Sequence, residues 1–191
     1  HVLFRRQRQM CIRDSLNSDQ RYGLISIIFH WLMALIIIAT FILGLNLKHN
    51  FQYYYEVLAL HNSLGITIFL LAILRVTWRF FNIKPTQLPN KVIFMKLATL
   101  THIFFYIIFF TLPITGYILT NLQGDIVLFY GYSLPEVLEQ NRGLKNYVHT
   151  IHDYVGNILL ILFSLHVLGA LYHHLIKRDN TLRRITFLKM K

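Results

Sequence analysis

The sequence predicts an all-α integral membrane protein, a bundle of four transmembrane helices. Two observations carry this. The 191 residues are 55% hydrophobic with a positive mean hydropathy of +0.48, above the balance of an ordinary soluble domain. Four apolar stretches each reach the roughly 20 residues needed to cross a bilayer, and none alternates as a barrel strand does. Backbone polar groups in lipid must be satisfied within their own segment, so such stretches are helices.

The first span is predicted from about Leu24 to Leu47, the second from about Val57 to Phe81, the third from about Leu97 to Leu122 and the fourth from about Tyr147 to Ile176. Lys84-Pro85 and Leu88-Pro89 break the chain between the second and third spans. The longest loop, Gln123 to Lys145, carries Gly124, Gly131, Pro135 and Gly143 with the acidic residues Asp125, Glu136 and Glu139. No low-complexity segment and no sequence repeat is evident. The opening HVLFRRQRQMCIRDS shares no periodicity with the rest of the chain and reads as a non-native or disordered leader over 1–18, with the membrane domain over 19–191. A basic cytoplasmic arm is the alternative.

The formal charge is +11. Its cations cluster between the apolar runs, which points to a lipid bilayer rather than to nucleic acid. The segment before the first span, the loop from Arg79 to Lys96 and the tail from Lys177 hold fifteen Lys and Arg, against three (Lys48, Arg142, Lys145) in the other two loops. Both termini are therefore expected on the cytoplasmic side, with the Lys48–Glu56 and Gln123–Lys145 loops on the outer side. The single cysteine, Cys11, excludes a disulfide framework and a multi-cysteine metal site within one chain.

Ten histidines are the unusual feature, and several lie inside apolar runs, where polar side chains are costly and usually functional. His152 and His166 are 14 residues apart. That spacing falls about 40° short of four full turns, so both face one side of the fourth helix, about 21 Å apart along its axis. This is too far for one site and suits two sites near opposite surfaces. His30 and His166 lie at matched depths of about 14 and 16 Å from the cytoplasmic side. His61 and His152 both lie near the outer side. The expected pairs are His30/His166 and His61/His152.

Two imidazoles from facing helices fill both axial positions of a haem iron and leave no open site, an arrangement for electron transfer. The fold class thus becomes a four-helix bundle with two haems b between its helices, their irons held by His30, His61, His152 and His166. Gly65 and Gly156 each follow a histidine by four residues, and Gly169 follows His166 by three. Each leaves room on that face for a flat macrocycle, or is an ordinary packing glycine. Zinc or copper fits less well, because each pair offers two nitrogens and no nearby Cys or carboxylate completes a site. Satisfied buried histidines are the bland alternative.

Among the other histidines, His149 is a neighbouring-face alternative ligand. His102 begins the third span and could bond a haem propionate or line a quinone pocket. His49 lies in a loop, and His173 and His174 read as interfacial anchors. Arg75 and Arg79, flanking Trp78, could pair with propionates or snorkel toward headgroups. Pro113 and Gly116 kink or thin the third span.

The elements RYG…IFHW around His30, ALHNSLGI around His61, RVTWR, THIFFY…LPITGY, IHDYVGN…SLHVLGALYHH and KRDNTLRR occur in an order that resembles the bacterial cytochrome b-561 family, from about Arg21 to Ile185. The resemblance implies four membrane helices with two haems b, and its axial ligands fall on His30, His61, His152 and His166. It implies a multi-pass protein of the bacterial inner membrane that passes electrons between a donor and a quinone or a partner protein. A superoxide oxidase-like branch oxidises superoxide outside and reduces ubiquinone. For such an activity Arg142 and Lys145 could steer the anion, and Trp31, Arg75 and His102 could border a quinone. The alternatives are a cytochrome b electron-transfer subunit of a dehydrogenase or hydrogenase, with a larger redox partner protein, and a haem-free membrane scaffold.

Overall fold

The computed structural model of the chain describes residues 16–48, 52–86 and 92–186. Within them lie four long helices: α1 (Leu24–Leu47), α2 (Tyr54–Phe81), α3 (Val92–Gln123) and α4 (Arg142–Leu171), the last continuing into a π-helical turn, Tyr172–Ile176. All four are long and apolar enough to cross a membrane. Neighbouring contacts run α1–α2, α2–α3 and α3–α4. Much of the bundle's exterior is apolar, as Leu35, Leu74, Ile161 and Leu168 show, and this suits lipid rather than water.

The first span matches its expected bounds. The other three helices begin three to five residues earlier than hydropathy marks them. Hydropathy registers only the apolar window, whereas the backbone ladder of a helix continues into polar residues beyond it. At α4 the cap is Asn141, whose side chain accepts a hydrogen bond from the Leu144 amide. Pro113 lies inside α3 without ending it.

Between α3 and α4 the expected loop holds a two-residue β-hairpin, β1 (Leu128–Phe129) against β2 (Tyr132–Ser133). Tyr130 and Gly131 turn it with φ of 48° and 91°. Positive φ at both central positions makes the tight turn whose twist matches paired strands. For a bulky residue such as Tyr130 that conformation is strained, and contacts to α2 hold it. Its amide donates to Ser63 Oγ at 2.9 Å, and its hydroxyl lies 3.1 Å from Thr67 Oγ1.

A cluster of Met33, Ile37, Ile68, Ala72, Ile108, Phe109 and Leu159 forms the buried core. It fills the middle of the bundle and separates two polar layers. One, the hairpin end, lies toward β1 and β2. The other, the terminal end, lies where Tyr22 meets Arg184 (amide to carbonyl, 3.3 Å) and Thr86 meets Asp19 (2.9 Å). Residues 1–15 of the expected leader lie outside the described residues, as do His1, Cys11, His49, Leu88 and Pro89. Asn17, inside the expected leader, accepts from the Gly23 amide (2.9 Å) and the Ser26 hydroxyl (2.7 Å) and so fastens the start of α1.

Candidate functional site: two histidine pairs joined by one helix

α4 carries one imidazole to each polar layer. At the hairpin end, the ring centres of His61 and His152 are 6.3 Å apart, with planes at 68°. At the terminal end, those of His30 and His166 are 6.2 Å apart, at 54°. The structure therefore brings together the two pairs expected from depth alone.

Each hairpin-end histidine is seated by the helix it packs against. Nδ1 of His61 lies 2.9 Å from the Thr40 carbonyl of α1, so it donates there and leaves Nε2 free. One turn on, Gly44 admits the ring: a Cβ there would stand 3.1 Å from His61 Cε1. His152 has the same seat in α3. Its Nδ1 lies 2.9 Å from the Thr115 hydroxyl, which in turn donates to the Leu112 carbonyl at 3.0 Å. A Cβ on Gly116 would stand 3.2 Å from Cε1.

These matched seats expose a repeat that the sequence alone does not show at a glance. Carbonyl and glycine are four residues apart in both cases, Thr40/Gly44 and Leu112/Gly116, and each histidine is followed at the fourth residue by Gly65 or Gly156. His30 precedes Gly44 by 14 residues, and His102 precedes Gly116 by 14. His61 precedes Arg75 by 14, as His152 precedes His166. The α1–α2 pair and the α3–α4 pair are thus two versions of one unit. His30, Gly44, His61 and Gly65 recur as His102, Gly116, His152 and Gly156 while Arg75 stands where His166 does, and so few shared positions hide the repeat from a reading by identity.

Around His61 and His152 lies a cavity of about 320 Å³, of ligand-binding size. Gly65 and Gly156 border it, and a Cβ on either would meet nothing within 4 Å. Both expected macrocycle glycines therefore face open space, as does Gly169. Of the two expected steering cations, Arg142 opens α4 and Lys145 lies in its first turn, and neither borders the cavity. The cation that does is Lys48, which bonds Asp153 at 2.9 Å. His149 also borders the cavity.

At the terminal end the histidines sit among cations. Arg75 Nη2 lies 3.3 Å from His30 Nδ1, and its Nη1 lies 3.7 Å from Met33 Sδ. Arg79 stacks over the Tyr106 ring at 5.8 Å. The His102 ring centre is 5.8 Å from that of His166, edge-on at 82°. Trp31 stands edge-on to His30 at 5.4 Å and donates to the Ile185 carbonyl at 2.8 Å. That carbonyl belongs to a 3₁₀ turn, Arg183–Ile185, whose Arg184 also donates to the Thr86 carbonyl at 2.5 Å. Ahead of this turn, Asp179 accepts from His173 Nδ1 at 2.5 Å and from the Thr181 amide at 2.8 Å. Burial works against the Asp179 charge, but these hydrogen bonds outweigh it and hold the carboxyl below its ordinary range.

Sequence reasoning missed the seats (Thr40, Gly44, Leu112, Thr115) and the Lys48–Asp153 pair. The available signal was glycine placed on the facing helices, at the depth of the histidines rather than beside them.

The chain is similar to known proteins over most of its length. Cytochrome b561 homolog 2 of Escherichia coli K12 is 31% identical over 174 residues, covering 88% of this chain and 93% of that protein. Cytochrome b561 homolog 1 of the same organism is 29% identical over 170 residues, covering 86% and 96%. The probable superoxide oxidase CybB of Yersinia pestis is 29% identical over 171 residues, covering 87% and 96%. The model of the family described as prokaryotic cytochrome b561 matches residues 21–187, and the chain therefore belongs to that family of helical membrane electron-transfer proteins, which bind haem b.

Proposed function

We propose that this protein is a dihaem cytochrome that takes electrons from superoxide at the hairpin end and delivers them to ubiquinone. The observation that carries the dihaem reading is the spacing within the two histidine pairs. A metal–imidazole bond is about 2.0–2.1 Å, so with the nitrogen about 1.1 Å from its ring centre, two imidazoles on opposite faces of one iron have centres roughly 6.2–6.4 Å apart. The observed 6.3 and 6.2 Å meet that spacing twice. The residues fit haem in other respects too. The cavity with its two open glycines suits a flat ring, and the Nδ1 bonds of His61 and His152 direct Nε2 toward a metal. His61 with His152 would hold one haem b, and His30 with His166 the other. When bound, the haems supply one-electron carriers with no open coordination site.

The rest falls to the chain. The buried core between the layers keeps water from the path. Lys48, beside the cavity and half exposed, is ion-paired with Asp153 at 2.9 Å, and its remaining donors face the solvent from which an anionic donor would come. At the terminal end Arg75 and Arg79 offer donors to haem carboxylates or to a quinone. Superoxide is favoured as donor by the likeness to the probable superoxide oxidase of Yersinia pestis. The conversion balances when two superoxide anions each lose one electron to become dioxygen, and one quinone gains two electrons and two protons. We place the hairpin end outside and the termini in the cytoplasm of a bacterial inner membrane, from the distribution of Lys and Arg.

The test begins with haem quantitation and the reduced-minus-oxidised spectrum of the purified protein. Two haems b per chain are expected, with about half lost in His152→Ala and in His166→Ala. A colourless protein returns the histidines to structural roles. Superoxide-dependent quinone reduction by the purified protein then tests the substrate, and its absence in a dihaem preparation favours service to a larger dehydrogenase or hydrogenase.

A further inference from the structure

The terminal end holds one imidazole more than an axial pair needs. His166 meets two imidazoles from two different helices: His30 of α1 at 6.2 Å and His102 of α3 at 5.8 Å. The repeat explains why. His102 occupies in α3 the place that His30 occupies in α1, each 14 residues before its seat glycine. The relation that sets His61 against His152 at the hairpin end sets His30 and His102 in equivalent places at the other. Arg75 occupies the place equivalent to His166. One layer thus keeps three imidazoles and one guanidinium from four equivalent positions.

We propose that His102 is a third ligand-competent imidazole of the terminal-end site, able to take the place of His30 opposite His166 on the haem iron. The inference rests on the dihaem reading above. Its spacing lies within about half an ångström of what two axial imidazoles require, a shift that a side-chain torsion supplies. Phe105, three residues after His102, stands edge-on to the His166 ring at 5.5 Å, so α3 already lies against this ligand. The exchange balances: one iron–nitrogen bond breaks as another forms, and the electron count is unchanged. The Arg75 contact makes the exchange reasonable. A guanidinium only donates, so Nδ1 of His30 accepts from it and a neutral ring then carries its hydrogen on Nε2, the nitrogen that ligation needs. His30 is therefore the less well prepared of the two axial candidates until Arg75 finds a carboxylate.

The test compares His30→Ala, His102→Ala, the double variant and His166→Ala, each purified from membranes, by haem content and low-spin electron paramagnetic resonance. His30→Ala is expected to keep the parent's haem content and a low-spin signal of greater anisotropy, because the His102 and His166 planes stand at 82° rather than 54°. His102→Ala is expected to keep the parent's content and signal, and the double variant to lose about half the haem. Loss of half the haem in His30→Ala alone, a high-spin signal there, or a double variant indistinguishable from His30→Ala would overturn the proposal. Full haem content in His166→Ala would instead sink the ligand pairing itself. Retention of the hairpin-end haem in every variant shows that each has folded.

Discussion

The two histidine layers use the same spacing and different surroundings. At the hairpin end each Nδ1 faces an acceptor, the Thr40 carbonyl or the Thr115 hydroxyl, and a glycine backs each ring. At the terminal end a guanidinium faces His30, and a third imidazole faces His166. Acceptors at Nδ1 make an imidazole a stronger donor to its metal and favour the oxidised iron. A nearby fixed cation favours the reduced iron, which carries one positive charge less. With a haem at each pair, as proposed above, the difference would set a downhill path for electrons, from the hairpin end to the terminal end.

The largest break in this comparison is removal of a ligand that belongs to one layer only. His61→Ala is expected to remove the haem of the hairpin end, about half of the total, and to leave the terminal-end midpoint potential in place. Spectroelectrochemical titration shows this as the loss of the lower-potential wave. Loss of the higher-potential wave would reverse the assignment.

Next comes the cation. Arg75→Leu is expected to lower the terminal-end potential by on the order of 100 mV, the effect of a unit charge about 6 Å away at an effective dielectric near 20. The hairpin-end potential should scarcely move. Equal shifts of both waves would mean a global change rather than a local field.

A smaller effect is expected from the seats. Gly→Ala inside a helix ordinarily stabilises it by up to about 1 kcal/mol. At Gly44 and Gly116 the new Cβ would stand 3.1 and 3.2 Å from a histidine carbon, so the ring must yield. Either substitution is expected to lower haem retention on heating and to alter only the hairpin-end low-spin signal. Gly65→Ala meets no protein atom, so any haem loss there would come from the macrocycle itself.

The smallest effects lie at the surface. Lys48 and Asp153 are 49% and 34% exposed, so Asp153→Asn should cost under about 1 kcal/mol in thermal unfolding. The Asp179 carboxyl is held below its ordinary range, so its contribution to tail docking is present above the unfolded carboxylate pKa and fades as pH falls through the lower folded value. Hydrogen-exchange protection factors at residues 180–186, taken relative to the intrinsic rate at each pH, should therefore fall at acid pH, and Asp179→Asn should remove that dependence.

The sequence made the spans legible because a bilayer imposes a length, and it made the histidine pairs legible because depth can be counted along a helix. The seats were not legible. They depend on which face of α1 meets α2, and Gly44 looks like any other glycine until His61 is laid against it. The hairpin was hidden for another reason. Its turn places Tyr130 at positive φ, which no turn signal announces, and the contacts to Ser63 and Thr67 that hold it lie far away in sequence. Arg142 and Lys145 stood out as loop charges, while Lys48, at the end of an apolar run, gave no sign of its place beside the cavity.

α4 supplies one imidazole to each pair, which bears on biogenesis. A nascent chain halted before residue 152 presents His30 and His61 with no counterpart for either. If the pairs hold haem as proposed, a chain still short of its fourth helix has no complete site, and cofactor loading would follow the insertion of that helix.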